Sequence, residues 1–343
     1  MTISSISINQ ATPPFFVGVD VGGTNIKLGI VDDSGQTVAR NSVPTLEPQG
    51  PEEAIERVGA CLDTMVEDIG LDPSLLIAVG LGTPGPIDIA NGVILTPGNM
   101  PHWHNYSICE RLNQVTGRKV IFANDANAAA FGEYWVGSGR NVQSMILFTL
   151  GTGVGGGIII NGMMVEGDNC HGGECGHVAI DMSDDARACT CGGRGHLEAY
   201  TSATSVVART KEALVSGIHS SMNERIQAGE ELSTLMLYEE ASRGDELSLQ
   251  LILETARYLG FGIAICMHVV DPGAVILGGA MDFGGHESEI GKRFLDEVRR
   301  EIRRRALPVL AERTVVDFAS LGGAAGYIGA AGVARRTIMS TGT

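Results

Sequence analysis

Two glycine-rich turns, each set inside a strand-like run, constrain this chain more than any other feature. The first is Val19-Asp20-Val21-Gly22-Gly23-Thr24-Asn25-Ile26-Lys27; the second is Thr149-Leu150-Gly151-Thr152-Gly153-Val154-Gly155-Gly156-Gly157. Glycine lets the backbone approach an oxyanion without a Cβ clash, and successive N–H groups make an anion nest. Between the turns, Val120–Ala123 reads as a buried strand that delivers Asn124 and Asp125 onto an alanine-rich helix over Ala126–Trp135. Asp125 is the candidate general base, although an acid at that point also makes a helix N-cap worth ~1 kcal/mol. Asn124 and Asn127 can bind hydroxyls or cap. Two phosphate-cradling turns and one placed carboxylate suit transfer of a phosphoryl group from a nucleotide to a hydroxyl.

The candidate nucleotide contacts are Asp20, Gly22, Gly23, Thr24, Asn25 and Lys27 in the first turn and Gly151, Thr152 and Gly153 in the second. The charge of Asp20 beside phosphates makes sense with a cation, most simply Mg²⁺ through water. Val275–Leu277 reads as a strand ending in Gly278-Gly279, a turn able to accept the flat adenosine face. The chain has no Gly-x-x-x-x-Gly-Lys-Ser/Thr motif, so this is not P-loop chemistry.

A third constellation is Gly173-Glu174-Cys175-Gly176-His177 followed by Cys189-Thr190-Cys191-Gly192-Gly193-Arg194-Gly195-His196-Leu197-Glu198. Two cysteines one residue apart with flanking histidines match a tetrahedral zinc site, with His177, Cys189, Cys191 and His196 as ligands. Four protein ligands leave no open position, so the site would be structural. Zinc on one ring nitrogen of His177 leaves the other to a ligand. The same knot tethers Glu174 and Glu198, and two carboxylates beside an imidazole suit a polyhydroxylated substrate.

With 343 residues the chain exceeds the size at which one core keeps growing, so two lobes are expected. The strand–turn–strand–helix order at the start recurs after position 144. This predicts two matching halves facing a cleft: a smaller lobe of 1–124 plus 321–343, with a C-terminal helix over Ala324–Thr337 packing back, and a larger lobe of 125–320. The net charge of −16 disfavours nucleic acid and anionic membranes. The basic run Arg299–Arg305 reads as a solvated helix face. Seven cysteines, several in apolar runs, fit a reducing cytoplasm better than a disulfide framework. Met1–Phe16 lacks a basic n-region and reads as a frayed leader, not a signal peptide. The uncharged stretch Met145–Val165 reads as two strands around a glycine turn, not a membrane span.

These segments together resemble the ROK family of sugar kinases and repressors, within the sugar kinase/actin superfamily. The first glycine turn looks like the family's first phosphate motif. Gly82-Thr83-Pro84-Gly85-Pro86 looks like its sugar-proximal loop, which adds Gly85 to the substrate contacts. Asn124-Asp125 looks like its base motif, and the cysteine segment like its signature zinc segment. The resemblance implies an α/β, two-lobed, actin-like fold of duplicated ribonuclease H-like halves with an interlobe cleft. It also implies an ATP-dependent hexokinase acting on glucose, in which Asp125 deprotonates the 6-hydroxyl and Asn99, Asn124, Asp125, Glu174, His177 and Glu198 hydrogen-bond the sugar. A homodimer or dimer of dimers is the family expectation. Other acceptors stay open: N-acetylmannosamine, N-acetylglucosamine, fructose or allose, and so does polyphosphate as donor. A DNA-binding regulator of the family would need a helix-turn-helix, and the residues before the first strand contain neither lysine nor arginine. One departure from the family pattern is His196, where a third cysteine is usual.

Overall fold

The computed structural model describes residues 4–98 and 100–341. Seven residues at a time, the chain first builds an antiparallel hairpin from β1 (Phe15–Val21) and β2 (Asn25–Val31), then adds β3 (Thr37–Pro44) outside it. After helix α1 (Pro51–Asp68), β4 (Leu76–Thr83) returns parallel to β1. A two-strand ladder of β5 (Ile87–Asp88) and β6 (Val93–Ile94) follows, then α2 (Ile108–Thr116) and β7 (Lys119–Asn124). The sheet order is β3-β2-β1-β4-β7. Strand β7 runs directly into α3 (Asp125–Trp135).

The pattern then repeats. Strands β8 (Met145–Leu150), β9 (Val154–Ile160) and β10 (Met163–Met164) come first, followed by the cysteine segment. The helices α4 (Glu198–Thr201), α5 (Ala203–Val215), α6 (Met222–Gln227), α7 (Thr234–Ser242) and α8 (Glu246–Val270) intervene before β11 (Ala274–Gly279). Helices α9 (Glu289–Arg305) and α10 (Pro308–Arg313) precede β12 (Val315–Phe318), and α11 (Ala325–Thr341) ends the chain. This second sheet has the order β10-β9-β8-β11-β12, the same arrangement as the first, with β8, β11 and β12 parallel. The recurrence expected from sequence is therefore a recurrence of topology.

The chain divides into two compact units. Unit 1 comprises 1–141, 157–173 and 320–343; unit 2 comprises 142–156 and 174–319. In unit 1 the first sheet is covered on both faces. Val17, Val19, Ile26, Leu28 and Ile30 bury one face in a core shared with Ile55, Val58 and Leu62 of α1. Phe16, Val31 and Ala78 join Tyr327, Ile328, Ala331 and Ala334 of α11 on the other. The helix comes so close that side chains are excluded. A Cβ on Gly80 would lie 1.8 Å from the Ala330 carbonyl oxygen, and one on Gly329 would lie 1.6 Å from that of Ala128 in α3.

One expectation needs correction. Residues 4–14 are not a frayed leader: the Ile6 amide donates to Thr37 O (2.9 Å), the Thr12 amide donates to Asp32 (2.9 Å), and Ile6, Ile8 and Ala11 pack on the core. The apolar side chains that look scattered in sequence thus find places on the core of unit 1. The basic run on α9 is the solvent-facing side expected, with Arg300, Arg303, Arg304 and Arg305 exposed. Arg300 pairs with Glu297, Arg304 and Arg305 with Glu301, and Arg299 donates to Val316 O (2.7 Å). Met145–Val165 forms strands, as expected. Helix α8 is long and apolar enough to cross a membrane by length and composition alone, and its Leu251, Ile252, Leu259, Ile263 and Met267 are buried.

Candidate active site

In unit 2 the cysteine segment folds on itself through tight turns. Cys189 N donates to Gly193 O (2.9 Å), and Gly192 N donates to Cys189 O (3.0 Å). The chain then brings Cys189, Cys191, His177 and His196 together, with all four ligand atoms within 4.8 Å of one another. Cys189 Sγ is 3.7 Å from His177 Nδ1 and Cys191 Sγ is 3.2 Å from His196 Nδ1. A tetrahedral zinc with sulfur and nitrogen ligands has an S···N edge of about 3.6 Å, so this donor set fits that ion. Burial pushes the Cys189 thiol up to about 11, which a bound cation would reverse. The other ring nitrogen of His177 faces Glu174, with Nε2 3.8 Å from Oε2.

Glu198 opens α4 beside this cluster and is 9 % exposed. Its Oε1 accepts from Thr190 (2.7 Å) and Cys189 (3.4 Å), and its Oε2 accepts from the Val154 amide (2.9 Å). Burial alone would raise its pKa, but these three donors win and hold the carboxyl below the ordinary glutamate value. Glu198 thus ties the metal-ligand cluster to the Gly151–Gly153 turn. A Cβ on Gly153 would fall 2.5 Å from Glu198 Oε2. Ala203 N donates to Gly151 O (2.8 Å), and Thr204 Oγ1 donates to Thr152 O (3.0 Å), so helix α5 starts against the same turn. Gly278 and Gly279 end β11 in register with Thr149 and Leu150, which sets the two glycine segments of unit 2 side by side.

In unit 1, Gly22 N donates to Asn25 O (3.1 Å), closing the first turn, and Thr45 Oγ1 donates to Gly22 O (2.6 Å). Gly23 and Thr24 at its tip are exposed. Asp20 and Lys27 face each other across the β1–β2 register. Burial pushes the Asp20 carboxyl above the usual aspartate range, and the Lys27 ammonium only partly offsets this. The anion nest expected from sequence needs alternating left-handed residues. None of Gly22, Gly23, Gly151 or Gly153 has positive φ; Gly22 and Gly153 serve close approach instead, whereas a Cβ on Gly151 would meet nothing within 4 Å.

Strands β4 and β7 are parallel neighbours with Thr83 opposite Asn124, which places the Gly82–Pro86 loop next to Asp125. A Cβ on Gly85 would lie 3.6 Å from Asn124 Nδ2, and one on Gly82 would lie 3.6 Å from Asp125 Cα. The cap of α3 is Asn124, whose side chain accepts from Ala126 N (2.9 Å) and Asn127 N (3.2 Å). Asp125 is the first helical residue and accepts from Ala126 N (2.8 Å). Asn127 is buried, and its Oδ1 lacks a hydrogen-bond partner among the described residues. Asn99 lies outside the described residues.

The ROK family model matches residues 16–337. The chain belongs to the ROK family. Among ROK relatives, a glucokinase of Halalkalibacterium halodurans is 33% identical, with 92% of this chain and 93% of that protein aligned. A crystal structure of a ROK hexokinase from Thermus thermophilus superimposes with a TM-score of 0.79 at 31% identity, covering 95% of this chain and 99% of that one. A ROK glucokinase from Streptomyces griseus, solved with glucose and AMPPNP, gives a TM-score of 0.75 at 32% identity over 94% and 99% of the two chains. The α/β sugar-kinase fold of the ROK family is thereby that of this chain. Two supports of its sites escape sequence reading. Thr190 is legible afterwards as the residue between the two cysteines. Thr45 is not, because nothing in its surroundings signals a bond to a turn twenty-three residues earlier.

Proposed function

We propose that this ROK protein transfers the terminal phosphoryl group of ATP to the 6-hydroxyl of glucose, with Asp125 accepting the hydroxyl proton. One observation carries the assignment of the base: Asn124 caps α3, so the carboxylate of Asp125 at the same helix start is not needed as the cap. The chemistry of the donor and acceptor rests on relatives that span nearly the whole chain and on the glucose and AMPPNP held by the Streptomyces griseus enzyme.

Unit 1 offers the base, the Gly85 loop, Asn99, Asn124 and the phosphate turn from Asp20 to Lys27. Asp20 is the group that would hold Mg²⁺, and the cation would offset the cost of its buried charge. Unit 2 offers Gly151, Thr152 and Gly153 for phosphate and Gly278 and Gly279 for adenosine. Glu174, His177 and Glu198 serve the sugar, with His177, Cys189, Cys191 and His196 holding a structural zinc. His177 joins two of these roles, since Nδ1 faces the cluster and Nε2 faces Glu174. A homodimer in the cytoplasm fits the reading, and all seven cysteines are free thiols.

The test is ADP release across glucose, mannose, fructose, allose, N-acetylglucosamine and N-acetylmannosamine. The highest kcat/KM is expected with glucose. A higher value with an N-acetylhexosamine would transfer the assignment to that sugar, and ADP release with no sugar above the blank would remove it.

A further inference from the structure

Unit 1 carries a surface cavity of about 470 Å³, within the roughly 300–1,000 Å³ range of small-ligand clefts. It opens over the outer part of the first sheet, where Lys27 of β2 lies opposite Ser42 of β3 and Gly29 lies opposite Arg40. Alternation along the strands puts Asn25, Lys27, Arg40 and Ser42 on one face, the face that α11 covers further along. Gly323, in the turn before α11, closes one side.

The lining is rich in donors and holds no carboxylate. Lys27 Nζ donates to Gly323 O (3.2 Å). Among the described residues Arg40 has no ion pair or hydrogen bond from its guanidinium, and the Ser42 hydroxyl and Asn25 amide have none either. Acids outnumber bases by 40 to 24 in this chain, and most of its arginines are paired. Lys27 faces Asp20 across the β1–β2 register, but among the described residues Arg40, its diagonal neighbour on β3, has no carboxylate partner and is an exception to that rule. A guanidinium fork beside an ammonium and two neutral donors matches the oxygens of a phosphate group.

We propose that this cavity is an oxyanion site that binds a phosphate group, with Arg40 as its principal reader and Lys27, Ser42 and Asn25 completing the donor set. At Asn25 and Lys27 the proposal rests on the kinase reading, and it extends that reading to Arg40 and Ser42 of β3, whose binding of phosphate does not require that glucose be phosphorylated. The phosphate can be free inorganic phosphate or the terminal group of a phosphoryl donor, and the experiment separates these sources.

The full chain is titrated calorimetrically with inorganic phosphate and, separately, with AMPPNP, without sugar and at constant ionic strength set by chloride. Saturable phosphate binding is expected, weakened about tenfold in Arg40→Gln and by less in Arg40→Lys, which keeps the charge but loses the fork. Because Arg40 is exposed and unpaired, Arg40→Gln should melt with the parent. Arg303→Gln removes another unpaired guanidinium, on α9, and should leave phosphate affinity unchanged. A parallel loss of AMPPNP affinity in Arg40→Gln assigns the cavity to the donor's terminal phosphate; loss for inorganic phosphate alone assigns it to the free anion. No saturable phosphate binding by the parent, or equal weakening by Arg303→Gln, overturns the proposal. Because no sugar is present, absence of hexokinase turnover leaves this result intact.

Discussion

The two glycine turns occupy the same place in two sheets of the same strand order, yet they are supported in opposite ways. The turn of unit 1 is backed by Asp20, a carboxylate whose ionised form burial disfavours and which Lys27 only partly offsets. The turn of unit 2 is backed by Glu198, a carboxylate whose ionised form three donors favour despite burial, and which is bonded into a cysteine–histidine cluster. One turn is backed by a carboxylate that burial keeps toward its neutral form. The other is already fastened. A repeated topology has therefore kept its backbone while its two turns differ in how their carboxylates are held.

The strongest probe of this difference is Asp125→Asn. Turnover should fall at least about a hundredfold while melting temperature and zinc content stay at parental values. Near-parental turnover would remove the base from unit 1. Next in size, chelation of the metal or Cys189→Ser should abolish stoichiometric zinc, measured by plasma emission, and destabilise unit 2 by several kcal/mol. Hydrogen exchange should rise first around 151–153 and 174–203; a uniform rise through both units would mean that the anchor is not local.

A smaller effect compares the turns directly. Gly153→Ala drives a methyl to 2.5 Å from Glu198 Oε2, whereas Gly22→Ala meets only Asn25 O at 2.9 Å. Gly153→Ala should cost about 1–3 kcal/mol of stability and lower zinc retention. Gly22→Ala should weaken ATP binding without changing zinc. The smallest effect is on Asp20. Its folded pKa lies above the ordinary 3.8, so it contributes stability below that pH and loses it as pH rises through the folded value. At neutral pH and without Mg²⁺, Asp20→Asn should therefore raise stability by about 1 kcal/mol in urea melts. Glu198→Gln should do the reverse: ionised Glu198 stabilises above the ordinary 4.5 and loses that contribution as pH falls.

Much of this was legible because the signals are local. Strand–glycine–strand patterns located β1, β2, β8 and β9, the alanine-rich run after Asp125 located α3, and a Cys-x-Cys spacing located the cluster. The edge strands β3 and β12 were not legible. Both carry charged or polar residues among their apolar ones and are defined by the neighbours they pair with. The choice of Asn124 as the cap, and the three bonds that Glu198 accepts, needed coordinates, since Thr190 and Cys189 lie in the cysteine segment while Val154 opens β9, forty-four residues before Glu198. The order in residues 4–14 was invisible for the same reason: its partners, Asp32 in the turn after β2 and Thr37 at the start of β3, follow it in the chain.

The close seating of α11 against Gly80 and α3 has a consequence for synthesis. Unit 1 begins with the first strand but is finished by the last helix, so a ribosome must release nearly the whole polypeptide before that sheet can be sealed. Until then one face of the earliest strands waits uncovered, while the second sheet already has all its strands. Nascent chains halted before Ala325 are expected to give protease-resistant fragments from unit 2 ahead of any from unit 1.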